Sequence, residues 1–321
     1  MGADQVDQVW DVAIVGGGAA GLSAALTLAR ARRRVGVVDG GRPRNAPARA
    51  AHGLLGLEGI NPLELLDRGR KDAASYGARI ISADVTSAEA VPGGGFVLML
   101  GDGSVVRAGQ VVIATGVRDE LPAVPGLAQR WGHDVVHCPY CHGWEIRDQR
   151  IGLLATGPMS AMQALLFHQW SGQMRFFPNG TEFPTAELDK LAAVGITVTP
   201  GPVTGLEVTD DQLTGVRMQD GTRIEVDALA VPALTRARLN GLEGLGVEVT
   251  TSAAGVAVVA DPAGHTSVPG VWAAGNVVNP SMQVSEAAAN GARVAMTVNT
   301  ELVLQHADHA LQRRQSDTGR V

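Results

Sequence analysis

The stretch Asp11-Val-Ala-Ile-Val-Gly-Gly-Gly-Ala-Ala-Gly21 decides the fold, because a short apolar run passes directly into a glycine-rich turn. The run has the length of a buried strand, and the glycines follow the spacing G-x-G-x-x-G. Gly16 permits a tight turn, Gly18 lets a pyrophosphate approach the backbone, and Gly21 lets a following helix pack close to the strand. The stretch therefore predicts a turn that holds a phosphate-bearing ligand at a helix N-terminus.

The residues that follow extend this pattern into a complete unit. Leu22 to Arg34 predicts a helix, and Val35 to Asp39 predicts a second strand that ends in an acid. Asp39 lies 18 residues after Gly21, where it can accept a hydrogen bond from a ribose hydroxyl. Glycines alone are also compatible with a turn in another α/β fold. Strand, glycines, helix, strand and acid together predict a dinucleotide-binding unit.

Composition bounds the rest of the molecule. The chain has 321 residues, which fits two domains of ordinary size, and its hydrophobic (45%) and charged (18%) fractions are typical of globular proteins. The net charge of −6 argues against a general nucleic-acid binder.

Neither a secretion signal nor a membrane span is predicted. Met1 to Trp10 is polar, and the uncharged stretch Val12 to Ala29 has a glycine-rich middle that does not suit a lipid-facing helix. We expect a soluble, cytoplasmic protein with no membrane partner.

Beyond the first unit, the pattern predicts further strands, a helical stretch near Pro62 to Tyr76, a long C-terminal helix and a tail. Val284 to Leu304 predicts an alanine-rich helix in which Gly291 marks a close packing contact, and the polar tail from His306 is expected to fray. Pro202 to Val231 predicts a small antiparallel section with Gly221 in its hairpin turn. Other strand-like runs are Ala78–Ser82, Phe96–Leu100, Val105–Val106 and Val111–Ala114.

A second strand–turn–helix unit begins at Arg150. Its turn carries Ala155, Gly157 and Ser160 at the positions of the three glycines of the first unit. Its second strand runs into Phe176-Phe-Pro-Asn179, with neither an acid nor a basic cluster. The unit therefore predicts a nucleotide-binding fold with an altered site.

Both cysteines of the chain lie in the sequence His137-Cys-Pro-Tyr-Cys-His-Gly-Trp-Glu145. A structural disulfide between Cys138 and Cys141 would close a very short loop and stabilise little. A zinc site normally takes two separated ligand couples, whereas these residues are sequence neighbours, so we predict no metal. A redox dithiol suits the motif best, because a helix start and neighbouring imidazoles stabilise a thiolate, the species that attacks disulfides.

These motifs, in this order, resemble those of thioredoxin-reductase-like flavoproteins, over about residues 10 to 304. The residues that carry the resemblance are Gly16-x-Gly18-x-x-Gly21, Thr115-Gly116, Cys138-x-x-Cys141, Gly275-Asn276 and Gln283. The resemblance implies an α/β fold of two Rossmann-like (three-layer ββα) domains. A discontinuous FAD domain (1–117 and 242–321) is interrupted by a smaller central domain (118–241) of NAD(P)-binding type that carries the cysteines. It also implies a homodimer.

The same resemblance implies a set of site residues. Cys141 would face the flavin and Cys138 would meet the substrate, with Asn276 near the ribityl chain and Gln283 near the flavin. The residues expected to bind FAD are Gly16, Gly18, Ala19, Ala20, Gly21, Asp39, Thr115, Gly116, Gly275, Asn276 and Gln283.

The chain departs from the family pattern in three places. The turn for NADPH phosphates contains Pro158, which has no N–H donor, and the expected basic cluster is missing, with Arg175 the one cation near it. His142 stands where the family has an acid, and its imidazole can take and return a thiol proton. Asn276 replaces an aspartate and keeps the hydrogen-bonding capacity without the charge.

This combination looks most like the dithiol oxidases of the gliotoxin and holomycin pathways. We therefore expect an FAD-dependent thiol–disulfide oxidoreductase with Cys138, Cys141 and His142 as catalytic residues. It would form a disulfide in a small-molecule or peptide dithiol, with O2 as acceptor and without NADPH. The alternatives are a reductase of a protein disulfide, driven by NADPH or another donor, and an FAD-containing redox sensor or binding module. The roles of His137 and His52 stay open at this stage.

Overall fold

A computed structural model describes residues 9–253 and 255–318, with side chains to residue 316. In chain order the strands are β1 (Val9–Val15), β2 (Val35–Asp39), β3 (Arg79–Ser82), β4 (Val85–Ala90), β5 (Phe96–Leu100), β6 (Val105–Ile113), β7 (Val117–Glu120), β8 (Val135–Val136), β9 (Ile151–Leu154), β10 (Met174–Phe177), β11 (Thr197–Val198), β12 (Val203–Thr209), β13 (Gln212–Met218), β14 (Arg223–Ile224), β15 (Ala228–Ala230), β16 (Leu234–Ala237), β17 (Val249–Ser252), β18 (Gly255–Val258) and β19 (Val271–Ala273). The helices are α1 (Ala19–Arg30), α2 (Pro62–Ser75), α3 (Leu127–Arg130), α4 (Pro139–His142), α5 (Ser160–Phe167), α6 (Thr185–Ala193) and α7 (Val284–Thr318).

The first sheet is built around the glycine-rich stretch. Its order is β3-β2-β1-β6-β5-β4, and β19 from the C-terminal part pairs parallel with β6. The strands β3, β2, β1 and β6 are parallel, as a Rossmann-like unit requires, whereas β4 to β6 form an antiparallel meander. Two predictions are corrected here: β4 was not expected, and the two runs predicted at 105–106 and 111–114 are one continuous strand.

The long C-terminal helix α7 packs on α1 and completes the first unit. Gly291 lies where a Cβ atom would meet the backbone of Ala20, so the predicted close contact is confirmed. The predicted frayed tail from His306 is wrong, because α7 continues to Thr318. Residues 306–314 include Ala, Leu, Gln and Arg, which favour helix even where their side chains are exposed.

The middle of the chain forms a second, parallel sheet of order β11-β10-β9-β15-β8. Its core contains the fully buried Phe167, Phe176 and Phe177. The antiparallel section predicted at 202–231 is confirmed for β12, β13 and β14, with Gly221 at φ +86° in the turn. The end of that section joins the parallel sheet as β15.

The α/β fold with two Rossmann-like units is thus present. The chain passes between them at β7 and β16, which pair antiparallel and share a sheet with β17 and β18. The domain bounds 117/118 and 241/242 stay a prediction, and residues 1–8 of the first segment lie outside the described residues. Among the described helices, none combines the length and the apolar character that a membrane crossing requires.

Candidate active site

One cavity of about 780 Å³ connects the glycine-rich turn with the cysteine motif. This volume is typical of small-molecule sites. The predicted site residues that line it are Gly16, Gly18, Ala19, Ala20, Asp39, Thr115, Gly116, Cys138, Cys141, His142, Asn276 and Gln283. Residues from both Rossmann-like units therefore face the same space.

The turn between β1 and α1 forms one end of this cavity. Gly16 has φ +109°, and a Cβ there would run into the carbonyl group of Ala114. Nothing lies within 4 Å of a Cβ placed on Gly18, and no side chain caps the N-terminus of α1. The first-turn N–H groups of α1 are thus free to bind an anion.

Asp39 lies beside this turn. Arg70 Nη2 donates to Asp39 Oδ2 at 3.0 Å, and the Gly41 backbone N–H donates to Oδ1 at 3.1 Å. A carboxylate has about four lone-pair sites, so these two bonds leave acceptor capacity toward the cavity. Asp39 can therefore still accept from a ribose hydroxyl.

Gly21 and Gly275 are the two predicted residues that do not line the cavity. A Cβ on Gly21 would meet the Gly16 carbonyl oxygen, and a Cβ on Gly275 would lie 2.6 Å from the Ala20 Cβ. Both glycines lie beneath the turn, where they allow close packing.

Asn276 uses its amide nitrogen inside its own loop. Its Nδ2 lies within hydrogen-bond distance of three backbone carbonyl oxygens, those of Asn279 (3.3 Å), Pro280 (3.1 Å) and Met282 (2.9 Å). An aspartate would place a charged oxygen against these acceptors. The three carbonyls therefore explain why the amide stands here, and they leave its oxygen available to the cavity.

The other end of the cavity carries the cysteines. β8 leads into His137, Cys138 is the N-cap of the short helix α4, and Pro139 fills the first helical position. Cys138 and Cys141 form a disulfide, with their Cα atoms 5.2 Å apart. A Cβ on Gly143 would lie 2.6 Å from the Trp170 ring, so this glycine lets the motif pack against α5 and its C-terminal turn.

His142 follows the second cysteine and lines the cavity. Both of its ring nitrogens are buried, and neither has a hydrogen-bond partner among the described residues. Burial lowers the pKa of His142 below its usual range, an effect that the nearby Glu145 opposes. The imidazole is therefore neutral at pH 7 and can accept a proton from a thiol in the cavity.

Comparison with known proteins agrees with this geometry. The family model described as pyridine nucleotide-disulphide oxidoreductase matches residues 10–291. The chain belongs to the pyridine nucleotide-disulphide oxidoreductase family.

Individual relatives cover almost the whole of this oxidoreductase. The thioredoxin reductase tcpT of Claviceps purpurea (strain 20.1) is 31% identical over 91% of this chain and 94% of its own. The thioredoxin reductase sirT of Leptosphaeria maculans is 30% identical over the same shares. The crystal structure of HlmI superposes with a TM-score of 0.91 at 40% identity, over 97% of this chain and 98% of its own. The resemblance to thioredoxin-reductase-like proteins is confirmed.

The oxidoreductase is an FAD-dependent enzyme that acts on disulfides. The residues around the cavity fit this cofactor. The open side of Gly18 and the uncapped α1 suit a diphosphate. Thr115 Oγ1 is buried without a partner among the described residues, so it has hydrogen-bonding capacity for a ligand.

Three features of this oxidoreductase's cavity were not predicted from the sequence. His52 bridges two carboxylates: its Nδ1 lies 2.6 Å from Glu58 and its Nε2 lies 3.4 Å from Glu145. Arg44 pairs with the nearly buried Asp119 at 2.6 Å. Arg238 reaches the cavity from the end of β16. The family resemblance placed the region of His52 near the flavin without indicating its two carboxylate partners, and no motif marked either arginine.

His137 also lines the cavity, but its Nδ1 is occupied. This atom lies 3.2 Å from both the Ala233 nitrogen and the Val231 oxygen. Burial lowers the pKa of His137, and the positive charge of Arg44 lowers it further. The Nδ1 atom of His137 is thus engaged within the protein, whereas both ring nitrogens of His142 lack a partner among the described residues.

The turn after β9 differs from the turn after β1. The Ser160 hydroxyl accepts from the backbone N–H groups of Thr156 (3.1 Å) and Gly157 (3.3 Å). The Thr156 hydroxyl in turn donates to the Pro232 carbonyl. The turn is thus hydrogen-bonded within the protein, and two N–H groups that a phosphate would use already have an acceptor.

Proposed function

We propose that this oxidoreductase is a dithiol oxidase that closes a disulfide in a small-molecule or peptide dithiol and does not use NADPH. The observation that carries the proposal is the turn after β9, where the Ser160 hydroxyl accepts hydrogen bonds from the backbone N–H groups of Thr156 and Gly157. Pro158 supplies no donor, and Arg175, the one cation of β10, donates to Thr199 at 2.9 Å. These features together oppose binding of a nucleotide 2′-phosphate or diphosphate at this turn.

The chain's own residues suffice for the thiol chemistry. A substrate thiol loses its proton to His142, and the resulting thiolate attacks Cys138, so that Cys141 leaves as a thiolate. The second substrate thiol attacks the substrate sulfur of the mixed disulfide, and Cys138 leaves. The substrate is then a disulfide and the enzyme carries two thiols, so one electron pair has moved to the protein. Bound FAD supplies the two-electron acceptor that restores the enzyme disulfide, with O2 reduced to peroxide.

The neutral state of His142 matters for this sequence. An imidazolium could not take a proton, and burial of both ring nitrogens disfavours the charged form. His142 follows Cys141 in the chain and lines the same cavity, so the same group would return the proton to a departing thiolate.

The test is oxygen uptake by FAD-loaded enzyme with dithiothreitol as substrate. We expect uptake with formation of peroxide, and its loss in Cys138→Ser and Cys141→Ser variants that still bind FAD. Anaerobic mixing with NADPH should leave the flavin colour unchanged. The absence of oxygen uptake by flavin-loaded enzyme would contradict the oxidase.

A reductase of a protein disulfide is the second candidate, because tcpT and sirT carry the name thioredoxin reductase. This function needs an electron donor. Rapid bleaching of the flavin by NADPH would favour it and overturn the proposal above.

A further inference from the structure

We propose that Arg238, supplied by the strand that returns from the central unit, binds the diphosphate of FAD. The residue belongs to none of the phosphate-binding motifs of the sequence. This inference does not depend on whether the enzyme works as an oxidase or as a reductase.

Arg238 is a half-buried cation in the cavity wall. Its backbone N–H donates to the Gly116 carbonyl at 3.0 Å, which fixes the residue beside the end of β6. Its side chain donates from Nη1 to the Arg42 carbonyl oxygen at 2.6 Å. No ion pair among the described residues includes Arg238.

The neighbouring arginines differ in this respect. Arg42 pairs with Asp84 at 2.5 Å, and Arg44 pairs with Asp119 at 2.6 Å. Arg118 lies 3.6 Å from Glu120. Arg238 is thus the member of this group without a carboxylate in the described part of the chain.

The surroundings of Arg238 make that lack unfavourable. Burial lowers the pKa of Arg238, and the positive charges of Arg42 and Arg44 lower it further, against the single opposing charge of Asp119. A cation in this setting is stabilised by an anionic ligand, and a guanidinium matches phosphate oxygens with two parallel hydrogen bonds.

The position of Arg238 along the cavity selects the diphosphate among the parts of FAD. One end of the cavity holds Asp39, the expected ribose acceptor, and the other end holds Cys141. Arg238 contacts the backbone of Arg42, which follows Asp39 closely, and lies within electrostatic range of Arg44. Arg44 donates to the Pro280 carbonyl, which also lies 3.1 Å from the amide nitrogen of Asn276, the residue expected near the ribityl chain. A ligand with adenosine at one end and flavin at the other carries its diphosphate in between.

The consequence is that two distant segments of the chain contribute positive charge to the diphosphate site. The free N–H groups of α1 offer partial positive charge from the first unit, and Arg238 offers a full charge from the position just after β16, more than 200 residues later in the chain. FAD would then be bound both by the first unit and by the segment that returns from the central unit.

The test compares Arg238→Gln with Arg236→Gln. Arg236 lies two residues earlier, is exposed, pairs with Glu120 at 2.6 Å and does not line the cavity. Apoprotein of each variant is titrated with FAD and with riboflavin, which lacks the diphosphate, at several salt concentrations. Flavin fluorescence gives the Kd, so the readout does not depend on turnover.

We expect Arg238→Gln to weaken FAD binding by about tenfold or more, the usual effect of losing a charged hydrogen bond, while riboflavin binding is unchanged. The salt dependence of FAD binding should also become shallower. Arg236→Gln should bind both ligands like the wild type.

Equal weakening of FAD and riboflavin would overturn the proposal, because it would indicate a structural role for Arg238. Unchanged FAD binding would overturn it as well. If Arg238→Gln does not fold, the same titrations are made with Arg238→Lys. It keeps the charge but not the planar fork, so FAD binding should weaken several-fold with riboflavin unaffected, and the same two outcomes would contradict the proposal.

Discussion

The two strand–turn–helix units of this oxidoreductase share an architecture but differ in what their turns do with backbone N–H groups. The first turn takes three residues between β1 and α1, and it leaves open space above Gly18. The second takes five residues between β9 and α5, and the Ser160 hydroxyl binds two of its N–H groups. The first turn can therefore receive an anion, while the second is already satisfied internally.

The comparison teaches that two turns of the same fold type can differ in whether their backbone N–H groups are open to a ligand. The second sheet remains fully parallel, and Phe176 and Phe177 are completely buried at the end of β10. Ser160 itself is 1% exposed, so its hydroxyl has become part of the core. Internal hydrogen bonds occupy the N–H groups of Thr156 and Gly157, which keeps these polar groups satisfied.

Matched glycine substitutions give the largest expected effect. Gly16→Ala places a Cβ against the Ala114 carbonyl at a φ of +109°, whereas Gly157→Ala meets nothing within 4 Å. We expect Gly16→Ala to weaken FAD binding by roughly 100-fold or more, since strain of this kind costs about 1–3 kcal/mol before the steric clash is added. The visible absorbance of the purified proteins measures the flavin content.

Gly157→Ala is the control for this pair. It should retain FAD and change the free energy of unfolding by less than about 0.5 kcal/mol. Equal flavin loss in both variants would mean that the two turns do not differ in function.

Ser160→Ala tests whether the second turn is closed by its own hydroxyl. The change leaves the N–H groups of Thr156 and Gly157 without their acceptor, so we expect a loss of about 1–2 kcal/mol in the free energy of unfolding. Denaturant unfolding measures this loss. FAD content should not change, because Ser160 lies outside the cavity.

Mixing the Ser160→Ala variant with NADPH tests whether the Ser160 hydroxyl alone prevents NADPH from binding at the turn after β9. Pro158 and the missing basic cluster remain in Ser160→Ala, so NADPH should still fail to bleach the flavin. Bleaching in the variant would mean that Ser160 alone blocks the site.

The sequence was most informative where one residue type has one physical use. Gly16, Gly18 and Gly21 predicted the first turn, since a Cβ would meet backbone atoms at Gly16 and Gly21 and would fill the open space at Gly18. The disulfide motif was equally easy to recognise from the sequence, because the chain has two cysteines and they are three residues apart. The roles assigned to the site residues remain predictions, although the structure brings most of them to one cavity.

Residues that act through tertiary contacts could not be predicted. His52 and Glu145 meet across 93 positions of sequence, and Arg238 reaches the cavity only because β16 pairs with β7. The strand β4 was missed because its solvent-facing positions and one buried alanine give a weak apolar pattern. Such features depend on which segments become neighbours, and local patterning carries no information on that.

The smallest expected effect concerns an ion pair between the long C-terminal helix α7, which packs on α1 of the first unit, and the loop before β19. His265 Nε2 lies 2.6 Å from Glu301 on α7, and its Nδ1 lies 2.9 Å from Asp261. The hydrogen bond with Glu301 raises the pKa of His265, and Asp261 adds to the rise. Because the folded pKa exceeds the unfolded one, the stabilisation is complete below about pH 6.5 and is lost as the pH rises through the folded pKa.

His265→Gln should therefore lower the free energy of unfolding at low pH and have little effect at high pH. The imidazole is 43% exposed, so solvent screening limits the difference to about 0.5 kcal/mol. Denaturant unfolding of both proteins at about pH 6 and about pH 9 measures it. A difference that stays constant with pH would assign the contribution to the packing of the ring against Trp272, 4.4 Å away, because ring packing does not require the charge.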